Sequence, residues 1–141
     1  MPAIYEYPWQ VTADEIDGLG HVGNVEYLRW LQAAAIAHSA AQGWPTEKYF
    51  ELGAGWVVRS HQIEYLMPAH RDDAIVVRTW VANLRGIRSL RRYEVWRPAD
   101  QTLLAKAHTE WVFISFTSRQ PRRVPEEIQA AFEIVADGDA T

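Results

Sequence analysis

The residue pattern predicts an α+β fold in which one antiparallel sheet curls around a single long helix. Two observations carry that prediction. Four segments rich in β-branched and aromatic residues, Trp56 to Leu66, Ala74 to Leu84, Ser89 to Arg97 and Leu103 to Phe116, follow one another, separated by turn-formers. Ahead of them lies one extended helical pattern, whose small-sided apolar stripe needs a sheet to cover it. Long strands leave sheet edges and a second face to hide, which favours a homodimer or a dimer of dimers.

The elements can be justified in chain order. Tyr5, Tyr7, Trp9 and Val11 alternate with Glu6, Pro8 and Gln10, a period-two strand that Pro8 assigns to an edge or bulge. Asp14 to Gly23, rich in Asp and Gly, reads as a loop. Val25, Leu28, Leu31 or Gln32, and Ala35 then recur at helical spacing, reinforced by Ala33 and Ala34; Gly43 and Pro45 end the helix. Thr46 caps a short helix from Glu47 to Leu52. Arg85-Gly86 and Pro98-Ala99-Asp100-Gln101 separate strands as hairpin turns would. Pro125-Glu126-Glu127 opens a last helix running to about Val135, and Asp137 to Thr141 is expected to fray.

With 141 residues the chain forms a single domain, 1–141, large enough to hold a core without staples. No apolar run reaches the roughly 20 residues that span a bilayer, and residues 1–6 lack the basic and apolar regions of a secretory signal. The absence of cysteine excludes a disulfide scaffold, thiolate metal sites and a cysteine nucleophile, and fits a cytoplasmic protein. A formal charge of −4 argues against a nucleic-acid partner, and no basic amphipathic helix points to a membrane. Lys48 and Lys106 are the only lysines; the other basic residues are arginines, whose planar forks suit carboxylate and phosphate.

Gly18-Leu19-Gly20-His21-Val22-Gly23 matches the dinucleotide fingerprint letter for letter, but its context does not. The preceding segment is mostly polar, and no parallel strand follows the helix. What survives is a glycine-rich approach to a helix N-terminus, with free N–H groups and partial positive charge. Asp17 lies just upstream. An Asp beside Gly is ordinarily a turn residue bonding its own backbone. Held opposite an electrophile whose oxygen points at the helix N-terminus, it would instead supply one half of acyl-transfer chemistry and the amides the other. His38, His61, His70 and His108 show no metal-ligand spacing, so no metal site is expected, and no Gly-x-Ser-x-Gly elbow is present. Arg85, Arg88, Ser89, Arg91 and Arg92 cluster around a turn, ordinarily a solvated face. Tyr27, Trp30 and Trp44 suit either an acyl pocket or plain core.

The segment from Asp17 to Trp30 resembles the signature of hot-dog-fold acyl-CoA thioesterases of the 4-hydroxybenzoyl-CoA thioesterase family, Asp-x-x-Gly-His-Val-Asn-Asn-x-x-Tyr-Leu. The resemblance continues through Ile63-Glu64-Tyr65-Leu66-Met67-Pro68-Ala69, Arg88-Ser89-Leu90, Trp111-Val112-Phe113-Ile114 and Arg122-Arg123-Val124-Pro125-Glu126. It implies a five- or six-stranded hot-dog with active sites at a dimer interface, acting on an acyl-CoA or acyl-carrier thioester without a cofactor. It also implies that Asp17 is the general base or nucleophile, that the helix amide near Asn24 polarises the carbonyl, and that His21 supports the loop. Arg85, Arg88 and Ser89 would meet coenzyme A phosphates; Tyr27, on its aromatic character and not on the resemblance, is the candidate substrate contact beside its core reading. Gly23 departs from the pattern, standing where the family usually has its first Asn. Two other uses of such a fold are an acyl-thioester hydratase, with Asp17 and His21 as an acid–base pair, and a non-catalytic acyl-CoA-binding module.

Overall fold

The computed structural model describes residues 3–137. In chain order the elements are β1 (Tyr5–Gln10), α1 (Asn24–Ala41), α2 (Thr46–Leu52), β2 (Ala54–Tyr65), β3 (Ala74–Arg85), β4 (Arg88–Arg97), β5 (Thr102–Ser115) and α3 (Glu126–Ala131). The strands form one antiparallel sheet in the order β1-β3-β4-β5-β2, with α1 packed on one face. This is the predicted sheet around a helix, and the Rossmann alternative finds no parallel strand pair in the sheet.

Local chemistry sets the joints. Gly86, at φ 62°, closes the β3–β4 hairpin, and Gly43, at φ 93°, follows the end of α1 in the left-handed conformation that Gly adopts without strain. The two sheet edges differ. β1 is short and carries Pro8, which has no N–H to offer a further strand, whereas β2 is twelve residues long and pairs only with β5.

Inward side chains follow the pleat. Ile75, Val77 and Thr79 on β3, Arg91, Tyr93 and Val95 on β4, and Ala105, Ala107 and Thr109 on β5 are all buried. Beneath the first half of α1 the apolar ones among them form a core with Tyr27, Trp30, Leu31 and Ala34; a second cluster joins Trp44, Phe113, Val124, Ile128 and Phe132.

Three expectations are corrected. The buried stripe of α1 runs Tyr27, Trp30/Leu31, Ala34/Ala35, His38, leaving Val25 61% exposed. Aromatic bulk with satisfied polar tips outweighs a small β-branched residue in choosing the face to bury. The last helix stops at Ala131 instead of running to Val135. β1 pairs with β3 only as far as Thr79, so Val81 offers free backbone; Ile134 forms a parallel bridge to it and the Val135 N–H donates to its carbonyl at 2.9 Å. Asp137 is not frayed, because Arg92 grips its carboxylate with two hydrogen bonds of 2.5 and 2.9 Å. The remainder of that tail lies outside the described residues.

Candidate active site

The loop entering α1 is organised by Glu15, which the sequence reading passed over. Its carboxylate accepts the Trp9 indole N–H at 3.1 Å, the Thr12 N–H at 2.8 Å and the Trp30 indole N–H at 2.8 Å, tying loop, first strand and helix together. Burial pushes this carboxyl upward, but the Thr12, Trp9 and Trp30 hydrogen bonds outweigh it and hold the group below its ordinary range. The Glu15 carbonyl also accepts the Gly23 N–H at 3.0 Å, and Ala69 accepts that of Val22 at 3.0 Å.

Within this frame Asp17 is a turn residue. Its Oδ1 accepts the N–H of Leu19 at 2.9 Å and of His21 at 3.4 Å, and its own N–H donates to the His21 carbonyl at 2.7 Å. Its second carboxylate oxygen has no hydrogen bond among the described residues, and the residue is exposed. A Cβ placed on Gly23 would stand 3.9 Å from the Asp17 Cβ, so the turn lies against the residue that starts α1. Gly23 occupies the N-cap with no side-chain cap bond; the Glu26 N–H donates to its carbonyl at 3.0 Å, and the Asn24 and Val25 amides have no capping acceptor among the described residues.

The other residues singled out by sequence fall in several places. The Asn24 carbonyl accepts the Tyr65 hydroxyl at 3.0 Å, which fastens the start of α1 to the far end of β2. The exposed His21 meets His70 edge-on at 5.3 Å, and its links to Asp17 run through backbone. Tyr27 is core: its ring packs on Trp30 and Tyr65, its hydroxyl accepts the Ala69 N–H at 3.2 Å, and it lines neither of the two cavities described below. Trp30 is core as well, whereas Trp44 lines a cavity.

The arginine cluster does not form one solvated face. Arg85 and Arg88 are exposed and, with Arg59 and Ser89, line a cavity of about 240 Å³; the buried Ser89 hydroxyl donates to the Asn83 carbonyl at 2.9 Å. Arg92 points outward to Asp137, and Arg91 points inward and is buried. Strand parity divides the cluster, a signal present in the alternation of Ser89, Arg91, Tyr93 and Val95.

A larger cavity of about 520 Å³ opens between the second half of α1 and the sheet. Trp44, Tyr49, Phe50, Trp56 and Phe132 give it an aromatic lining, and it shares Ser89 and Trp111 with the arginine-lined cavity. Asp17 borders neither. Among the described residues no cluster of His, Asp and Glu is placed to hold a metal ion, and no helix is long and apolar enough to cross a membrane.

The sequence pattern of the Thioesterase-like superfamily matches residues 11–132, spanning the acidic turn, α1, the whole of β2 to β5 and both cavities. The chain belongs to this superfamily. Among the relatives of this thioesterase-like chain is the acyl-CoA thioester hydrolase YbgC of Escherichia coli O6:H1, 24% identical over 130 residues that cover 92% of this chain and 96% of the relative. The fold matches that of Slr0204, a 1,4-dihydroxy-2-naphthoyl-CoA thioesterase from Synechocystis, with a TM-score of 0.84, 23% identity, and coverage of 91% and 94% of the two chains. It also matches SAV2348 of Staphylococcus aureus, solved in complex with CoA, with a TM-score of 0.85, 16% identity, and coverage of 91% and 80%. The α+β sheet wrapped on one helix is thus the hot-dog fold of the superfamily.

Proposed function

We propose that this thioesterase-like protein hydrolyses acyl-CoA thioesters. The observation that carries the reading is the free carboxylate oxygen of Asp17 beside the uncapped start of α1. A thioester carbonyl oxygen placed against the first-turn amides would find donors for the negative charge that develops on it. Asp17 then attacks the carbonyl carbon or removes a proton from an attacking water. As a nucleophile Asp17 forms a mixed anhydride while the C–S bond breaks, and water then cleaves that anhydride to release the acid and restore the carboxylate. As a base it directs the water oxygen onto the carbonyl carbon while the C–S bond breaks. By either route a proton from water ends on the departing thiolate. Arg85 and Arg88 are the side chains suited to coenzyme A phosphates, and their cavity adjoins the aromatic one at Ser89 and Trp111.

Asp17 and these cavities are brought together by a second copy of the chain. Tyr65 ties the C-terminal end of β2 to the start of α1, and Gly55, Trp56 and Val58 at its N-terminal end line the aromatic cavity. Antiparallel pairing of two β2 edges across a two-fold axis sets the C-terminal end of one strand beside the N-terminal end of the other. Asp17 of one protomer thereby reaches the cavity of its partner. The exposed Val25 and Ile36 on α1 and Val57 on β2 give this interface an apolar content.

The test is thiol release from a panel of acyl-CoAs of varied length and aromaticity. Asp17→Asn keeps an oxygen for the Leu19 and His21 amides, so the fold should survive, and turnover should drop by about a hundredfold to ten-thousandfold. In the same assay Arg85→Ala and Arg88→Ala should raise KM with kcat retained, more so at low salt. Wild-type turnover in Asp17→Asn and Asp17→Ala would remove Asp17 from the mechanism; absence of thiol release from the whole panel would end the thioesterase reading.

A further inference from the structure

At the base of the aromatic cavity lies a charge without a counter-charge. Arg91 is only 6% exposed, and its hydrogen bonds among the described residues all run through Nη1: 2.9 Å to His38 Nδ1 and 3.0 Å to the Thr79 hydroxyl. Neither partner is anionic. His38 accepts the bond on Nδ1, so its proton sits on Nε2, and the imidazole is neutral. No Asp or Glu lines the cavity. A buried guanidinium ordinarily sits against a carboxylate, because desolvating it unpaired is costly.

The Trp111 indole and the other aromatic side chains supply the rest of the cavity wall. A cavity of about 520 Å³ with an aromatic lining and an unpaired buried cation fits an apolar body that ends in an anion.

We infer that this cavity receives an acyl group bearing a second, distal carboxylate, which Arg91 pairs with on Nε and Nη2 while the aromatic side chains hold the carbon skeleton. The inference rests on the thioesterase reading and narrows it from acyl-CoA in general to the CoA half-thioesters of dicarboxylic acids. The guanidinium fork meets a carboxylate with two parallel hydrogen bonds. A chain ending in methyl would leave the fork buried and unpaired, so the site rejects neutral acyl groups as well as attracting charged ones.

The experiment compares matched pairs on the full chain: glutaryl- against valeryl-CoA, adipoyl- against hexanoyl-CoA, and para-carboxybenzoyl- against para-methylbenzoyl-CoA. Wild type should favour the carboxylated member of at least one pair by about ten- to a hundredfold in kcat/KM, the range for hydrogen bonds to a charged group. Arg91→Met should collapse or invert that ratio, and Arg91→Lys, which keeps the charge and loses the fork, should fall between. Calorimetric titration with glutarate, adipate and terephthalate gives a second readout that needs no turnover: binding to wild type that is lost in Arg91→Met supports the assignment. If Arg91→Met does not fold, the wild-type ratio and Arg91→Lys decide. Equal or better turnover of the neutral member of every pair overturns the inference and leaves the thioesterase reading standing. Failure to cleave any thioester overturns the thioesterase reading, and the titrations then decide whether the cavity takes dicarboxylates.

Discussion

At the scale of single residues, Glu15 does more to build the site than its place in a polar loop suggests. Three N–H donors converge on one carboxylate, and two are indoles with no other hydrogen-bond partner among the described residues. Glu15→Ala would leave the N–H of the buried Trp30 unmet, at a cost of about 1–3 kcal/mol, and would loosen the turn that holds Asp17. The expected outcome is a lower midpoint in urea together with a fall in kcat larger than the change in KM. Asp17 itself was legible in sequence as a choice between a turn residue and a chemical one. Its two oxygens divide the roles: Oδ1 is bound to the turn, and the other has no hydrogen bond among the described residues. Tyr27 suits core and pocket alike in sequence, since an aromatic near a helix start looks the same in both; the Ala69 N–H donated to its hydroxyl and its burial place it in the core of this chain.

At the scale of elements, the two edge strands have different prospects. Pro8 blunts β1, whereas β2 presents a long unpaired edge. If pairing through β2 builds each site from two protomers, then Asp17→Ala and Ile36→Trp, a change that fills the cavity mouth, should complement one another. Each variant alone should be inactive. Unfolding and refolding them together should recover about a quarter of wild-type activity, since half of randomly paired dimers are mixed and each mixed dimer holds one intact site. No recovery from correctly folded mixed dimers would place Asp17 and the cavity it serves in the same chain. The inward turn of Arg91 belongs to this scale too. Reading Arg85 to Arg92 as one basic cluster ignored the strand's period of two, which sends Ser89, Arg91 and Tyr93 to the helix side.

For the whole molecule, acid sensitivity follows from what the sheet and helix enclose. Burial, aided by the adjacent Arg91 charge, depresses His38 from 6.5 to about 3, and burial lowers His61 as well. Between those limits the unfolded chain takes up a proton that the folded His38 refuses, so stability is complete above pH 6.5 and declines as pH falls toward 3. One such group gives a slope of about 1.4 kcal/mol per pH unit over the window. Urea unfolding between pH 7 and pH 5 should show this decline, and His38→Gln, whose amide oxygen can still accept from Arg91, should flatten it. A wild-type stability independent of pH there would mean that His38 is charged or solvated. Glu15 adds a further loss at lower pH, as its depressed carboxyl is protonated.

The sequence by itself determined the strands, the principal helix with its glycine stop, the edge position of β1 and the acidic turn before the helix. Each of these is encoded by neighbours within one or two turns of chain. It did not determine which face of α1 is buried, where α3 ends, that Asp137 is held by Arg92, or that Arg91 lies without a counter-ion on an aromatic cavity. Those depend on groups 45 to 53 residues apart, such as His38 with Arg91, Val81 with Ile134 and Arg92 with Asp137. Local spacing cannot register such pairs, because closing the sheet around the helix is what decides which side chains share one desolvated space.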